Sequence, residues 1–247
     1  MSKWMIQIGW NDAPHLSEAD RKELWESVPA HQRKARAEGI PMLGAGAIYQ
    51  TPEDTFLIDP LPRIPPHWPR AFGLDVGWKR TAAIWGALDR ESDVLYLYSE
   101  YYGATAPPQI HADAIRGRGL WIPGAIDPAS AGAGQIDGRK VIEEYQKQQL
   151  NLFQADNAVE AGILAVQRRL ESGRLKVFNT LRNWLAEYRI YRREEKPPNK
   201  PVKENDHLMD ASRYLVMTGL NLATVEPFDD DYKYEESRRT ANRVTGY

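Results

Sequence analysis

The chain has 247 residues, 42% of them hydrophobic, with 32 Lys and Arg against 34 Asp and Glu and no cysteine. That length supports one sizeable core plus a smaller appendage, and the missing cysteine excludes disulfides and thiolate zinc sites together. The histidines are too scattered for a histidine-based metal site, no apolar run approaches the roughly 20 residues that span a bilayer, and no signal-peptide pattern opens the chain, so a soluble protein without a membrane role is expected.

Taken in chain order, Ser17 is placed to cap a first helix, with Asp20 answering it three residues later. Pro29 interrupts, and a second short helix ends at Gly39. The run Pro60-Leu-Pro-Arg-Ile-Pro-Pro-His-Trp-Pro69 is too rich in proline for a helix or a central strand and reads as an extended connector. Residues 1–69 are therefore expected to be a small amino-terminal linker segment. A core begins near residue 70, with strand-like runs at Ala71–Val76, Thr81–Leu88 and Val94–Tyr101 set at hairpin spacing. Pro107 or Pro108 can open a helix reaching about Arg116, and a strand follows over Leu120–Asp127.

A helix near Arg139–Gln149, a short strand at Leu152–Gln154 and a helix over Val159–Ser172 come next. Ile163, Val166 and Leu170 repeat at helical spacing and belong to a core. Trp184, Tyr188 and Tyr191 recur at i, i+4 and i+7, the pattern of a helix burying one face, which outweighs a base-stacking role. An amphipathic helix covers Asp206 to Leu215. From Val225 onward the acidic Asp229–Asp231 and the basic Arg238, Arg239 and Arg243 show no apolar period, so 225–247 reads as a flexible tail. Antiparallel strands followed by alternating strand and helix describe an α/β fold with a mixed sheet flanked by helices.

Three aspartates close stretches of distinct local grammar. Asp75 ends one apolar strand, Asp127 ends another, and Asp210 sits in the amphipathic helix. Carboxylates gathered at the end of a sheet suit Mg²⁺ or Mn²⁺, hard cations that take oxygen ligands. Two such ions roughly 3.5–4 Å apart can clamp the attacking and leaving oxygens of a phosphodiester displacement. Asp206 and Asp210 are one helical turn apart on one face, where two like charges repel unless a cation stands by them. Capping of the helix start is the simpler reading for Asp206, less so for the deeper Asp210.

The runs Phe72-Gly-Leu-Asp75-Val-Gly-Trp-Lys79, Ala125-Ile-Asp127-Pro-Ala-Ser130 and Asn205-Asp-His-Leu-Met-Asp210-Ala-Ser-Arg-Tyr214 together resemble the nuclease domain of large terminase subunits of tailed bacteriophages. The resemblance spans about residues 70–222 and implies an RNase H-like fold over 70–224. Residues Gly9–Leu16 and Gly39–Gly46 look like the stretch that leaves the ATPase domain in that family. By resemblance the chain is the carboxy-terminal part of a packaging motor that cuts concatemeric viral DNA in the cytoplasm of an infected bacterium. The implied partners are double-stranded DNA, the portal protein, the small terminase subunit and the ATPase domain of the same protein. No P-loop is found: the closest stretch, Gly132 to Lys140, has neither the Gly-Lys pair nor the hydroxyl that follows it, so ATP hydrolysis is not expected.

The resemblance also assigns roles. Asp75 bridges two Mg²⁺ or Mn²⁺ ions, Asp127 holds one, and Asp210, helped by Asp206, holds the other. His207 and Lys79 are candidate accessory groups, against a backbone hydrogen bond for the first and an ordinary turn lysine for the second. A surface for DNA is read from Arg182, Arg189, Arg192, Arg193, Lys196, Lys200 and Lys203, seven cations against the three glutamates 187, 194 and 195. The plain alternative is a solvated helix face and polar loop. Two rival functions are another RNase H-like nuclease of resolvase or transposase type, and a module that mainly docks portal and DNA.

Overall fold

The architecture grows from one long antiparallel meander. In the computed structural model, which describes residues 8–28, 33, 36–39, 46–127, 138–195 and 199–227, strands β2 (Arg70–Val76), β3 (Arg80–Asp89) and β4 (Val94–Ala104) pair in sequence. Their β-branched and aromatic residues alternate faces with period two. Short strands extend the meander on both sides: β1 (Leu57–Ile58), β5 (Gly124–Ile126), β6 (Leu152–Gln154) and β7 (Leu175–Phe178). The seven-stranded sheet runs β1-β7-β4-β3-β2-β5-β6, with every added strand parallel to its neighbour. The expected mixed sheet flanked by helices is thus present.

Helices cover both faces. On one, α2 (Pro108–Arg116) and α3 (Gly138–Lys147) pack Ile115 and Tyr145 against Phe72, Leu74 and Trp85. On the other, α4 (Val159–Glu171), α5 (Arg182–Ile190) and α6 (His207–Tyr214) bury Val166, Trp184 and Leu208 against Ala71, Ile84 and Leu97. Trp184, Tyr188 and Tyr191 are all core, as their spacing predicts. The helix of α6 runs on through a π-helical turn, Leu215–Gly219, to Leu220–Leu222. Arg70 and Thr224 exchange both backbone hydrogen bonds, joining the start of β2 to the end of this last helix.

Local signals account for most element ends. Ser17 and Asp20 form the expected capping box ahead of α1 (Glu18–Ser27), and Pro108 opens α2. Gly39 has φ +66°, a left-handed conformation suited to glycine after a helix, though most of that second helix lies outside the described residues. The strand expected over 120–127 is shorter, because Pro123 lacks the N–H that would extend the ladder and β5 starts after it. Two strands are additions to the sequence reading, β7 and β1. The second lies in the expected linker: Tyr49 and Phe56 are buried in the core between the sheet and α4, α5 and α6, and β1 pairs with β7. The packed body therefore reaches back from residue 70 to about residue 46. Of the expected tail, residues 228–247 lie outside the described residues.

Candidate active site

The register of two parallel strands brings the first two aspartates together. Leu74 stands opposite Ile126, so Asp75 and Asp127 occupy the next level of β2 and of the chain leaving β5, and the Asp127 N–H donates to the Leu74 carbonyl at 3.2 Å. Neighbouring strands lie about 4.8 Å apart, which sets the spacing of the two side chains. Asp75 shares its face with Ala71 and Gly73, the face that α6 covers. Gly73 is the contact point: a Cβ there would lie 1.8 Å from the Ala211 carbonyl oxygen, so only glycine admits the α6 backbone this close. That approach brings Asp206, His207 and Asp210 to the end of β2.

The charges at this end respond to one another. Burial pushes the Asp75 carboxyl up, the hydrogen bond from His207 opposes it, and the charges of Asp210 and Asp127 raise it further. The His207 Nδ1–H donates to Asp75 Oδ2 at 2.8 Å, and this bond holds the imidazole above its ordinary value despite partial burial. A carboxylate only accepts, so the proton belongs on Nδ1. Asp210 is 6% exposed, with Lys203 Nζ 2.6 Å from Oδ2 and Arg213 Nη2 2.8 Å from Oδ1. The same ammonium lies 3.2 Å from Asp206 Oδ2, as an ion pair without hydrogen-bond alignment. Burial works against the Lys203 ammonium, but the two aspartates outweigh it and hold it above its ordinary value. Two cations thus balance two buried carboxylates that would otherwise repel across one helical turn.

Asp206 stands at the N-cap position of α6 yet makes no side-chain capping bond, and its backbone (φ −120°, ψ 7°) is outside the extended region a capping residue adopts. Its carboxyl is pushed up by burial and by the Asp210 charge. Capping is therefore not what occupies Asp206. The N–H of Leu208 donates instead to Glu187 Oε2 on α5, at 2.6 Å, and Tyr102 donates to Oε1 at 2.7 Å. Glu187, counted above only against the basic run, and Arg213 are given no role by the sequence. The signal for Glu187 is its place three residues after Trp184, an acid on the face that α5 buries.

The donor chemistry fits a hard divalent cation: four carboxylates lie on adjoining elements and Asp206 Oδ2 is a buried oxygen without a hydrogen bond. As arranged, no three metal-ligating side chains among the described residues surround one point. The Lys203 ammonium stands at Asp206 Oδ2 and Asp210 Oδ2, where a divalent cation would compete with it. A separate cleft lined by Val76, Trp78, Pro107, His111 and Tyr145 opens on the other face of β2 and contains none of these four aspartates.

The remaining candidates are not brought together. Lys79 is exposed in the β2–β3 turn, which the Gly77 N–H closes onto the Arg80 carbonyl at 2.9 Å. In the expected basic surface, Arg189 grips Glu53 with two bonds of 2.6 and 2.8 Å, and Arg193 grips Glu160 at 2.6 and 2.8 Å. Lys203 turns to Asp206 and Asp210. Arg182 and Lys200 are exposed and Arg192 is half-buried, while Lys196 lies outside the described residues.

The family model described as the terminase RNase H-like domain matches residues 72–218, from β2 through α6. The large terminase subunit of Enterobacteria phage LP7 is 30% identical over 243 residues, which is 94% of this chain and 49% of that protein. The chain spans about half the length of the curated relatives it matches. The solved nuclease domain of the P22 large terminase superposes with a TM-score of 0.68 at 29% identity, covering 74% of this chain and 96% of that one. The large terminase nuclease of the thermophilic phage G20c, solved with bound magnesium, shares the fold with a TM-score of 0.54 at 15% identity, covering 71% and 99%. With its mixed sheet and carboxylate-bearing helix inside the matched span, the chain belongs to the terminase RNase H-like domain family and has the fold of a large terminase nuclease domain.

Proposed function

We propose that this chain is a divalent-metal-dependent endonuclease that cuts concatemeric double-stranded DNA as a viral genome is packaged. The observation that carries the reading is the convergence of Asp75, Asp127 and Asp210 at one sheet end, close enough that the last two raise the Asp75 carboxyl. Asp75 would bridge two ions, Asp127 would hold one, and Asp210 with Asp206 would hold the other. When bound, Mg²⁺ or Mn²⁺ supplies Lewis acidity toward the attacking water and the departing 3′ oxygen. The magnesium in the G20c nuclease supports this choice of ion.

The chain's own residues do the positioning. The sheet holds Asp75 and Asp127 side by side, and α6 presents Asp206 and Asp210 across them. His207 engages one oxygen of Asp75 and so fixes the plane of that carboxylate. The exposed Lys79, Arg182 and Lys200 are available for phosphate contacts. The partners that follow from this reading are duplex DNA, the ATPase part of the same protein, the portal and the small terminase subunit, in the cytoplasm of the infected host. The test is incubation with supercoiled plasmid in Mn²⁺, Mg²⁺ or EDTA, with Asp75→Asn alongside. Metal-dependent cutting that the variant loses supports the nuclease; a folded wild type that neither cuts nor binds Mn²⁺ transfers the weight to a docking module.

A further inference from the structure

Neither of the two helices nearest the acidic end is capped by its own sequence. The N-cap of α5 is Leu181, and that of α6 is Asp206, with no side-chain cap bond at either. A glutamate from a neighbouring element serves each. Glu100 on β4 accepts from the Asn183 N–H at 3.0 Å and from the Trp184 N–H at 2.9 Å, which fixes the start of α5 to the sheet. Glu187 on α5 then accepts the Leu208 N–H at 2.6 Å and fixes the start of α6. The two helices are pinned a second time where Trp184 Nε1–H donates to Ser212 Oγ at 2.9 Å. A relay of carboxylates, half-buried at Glu100 and buried at Glu187, therefore runs from the meander to the helix that bears Asp206 and Asp210.

We propose that Glu187 is a positioning residue of the nuclease, which takes over the capping of α6 and so leaves the Asp206 carboxylate to a divalent cation. The inference rests on the metal-dependent reading above. A free N-terminal N–H draws the side-chain oxygen of an aspartate at the N-cap position, and this is the role in which such residues are commonest. Here Glu187 already occupies the Leu208 N–H, and it is 3% exposed, so water does not compete for that donor. The second oxygen of Glu187 holds Tyr102, whose ring packs edge-on against His207 with centroids 6.4 Å apart. One side chain thereby sets both the start of α6 and a wall of the imidazole that engages Asp75. Residues that orient metal ligands in this way typically change metal affinity by about 10–100-fold when altered.

The experiment is a cycle of the 247-residue wild type, Glu187→Gln, Asp206→Asn and the double variant. Mn²⁺ affinity is read by electron paramagnetic resonance or calorimetry, and amide exchange of Leu208 and Met209 is read alongside. We expect each single variant to weaken Mn²⁺ binding by about tenfold. The double variant should lose no more than either single one, because without Glu187 the Asp206 carboxylate folds back onto the helix start, and amide exchange should speed up in Glu187→Gln. A merely structural role predicts independent losses that multiply. Unchanged Mn²⁺ affinity in Glu187→Gln, or losses that multiply, would overturn the proposal while leaving the metal site standing. A wild type that binds no Mn²⁺, or an Asp206→Asn protein that binds it normally, sinks the ligand assignment itself and the proposal with it. If Glu187→Gln does not fold, Tyr102→Phe frees the other oxygen of the same carboxylate and should weaken Mn²⁺ in the same direction; no effect there counts against the proposal.

Discussion

The acidic end of the sheet and the basic stretch from Arg182 to Lys203 make opposite use of the chain. The aspartates come from three distant segments, yet parallel register and the close passage of α6 over Gly73 gather them at one place. The cations are crowded in sequence and scattered in space: Arg189 turns to Glu53, Arg193 to Glu160 and Lys203 to the site carboxylates. A run of like charge is dispersed by helical period and by whichever carboxylates lie nearby. Carboxylates bound for one site are instead collected by strand ends, which share an edge however far apart they lie in sequence. Proximity along the chain is thus a poor guide to a charged surface.

The largest expected effect tests the gathering itself. Asp75→Asn should reduce plasmid cutting to background without lowering the melting temperature, since the amide keeps the shape of the side chain. Lys203, paired with Asp206 and Asp210, tests the balance of charge: in Lys203→Ala the ammonium no longer competes for Asp210, and the Mn²⁺ concentration for half-maximal cutting should fall several-fold. If Lys203 acts as a DNA contact instead, that variant will show weakened duplex binding at unchanged Mn²⁺ requirement.

Dispersal of the basic run makes smaller predictions. Arg189→Ala leaves Glu53, 9% exposed, without its bidentate partner, and should cost about 2 kcal/mol in urea denaturation with duplex affinity unaltered. The paired change Arg182→Glu with Lys200→Glu should do the reverse, weakening duplex binding and flattening its salt dependence at wild-type stability. Equal effects of both sets on DNA would restore a continuous basic surface. The smallest effect is at Glu160, whose carboxyl is held below its ordinary 4.5 chiefly by the Arg193 hydrogen bond. A lowered carboxyl contributes stability that is complete above the unfolded value and disappears as pH falls through the folded one. Glu160→Gln should therefore cost only a few tenths of a kcal/mol at neutral pH, because the pair is exposed and screened, and nothing in acid.

What could be read from the sequence follows the range of the forces involved. Strands β2 to β4 are long and alternate cleanly, and the capping box of Ser17 with Asp20 closes within a single turn. The aspartates at strand ends and in α6 were visible for the same reason, since each is marked by its own local pattern. Strands β7 and β1 were not, because four and two residues carry too little periodicity to stand out from a loop. The capping of α6 was equally hidden: a local rule assigns the helix start to Asp206, and only tertiary packing brings Glu187 to the Leu208 N–H. The ion pairs of Arg189 and Arg193 depend on residues far away in the chain and left no trace in local composition.

The edge strand β1 has a mechanical consequence. It joins the sheet at β7, with β7, β4 and β3 between it and the strand that carries Asp75. Tension on the chain ahead of Ala47 reaches the Arg189–Glu53 clamp and the buried Phe56 before it reaches that strand. A two-residue parallel pairing contributes far fewer ladder hydrogen bonds than the long meander, so β1 is the weaker edge of the sheet. Loss of that pairing would remove an edge separated by three strands from the one that carries Asp75, with the β2–β5 register that aligns Asp75 and Asp127 left in place.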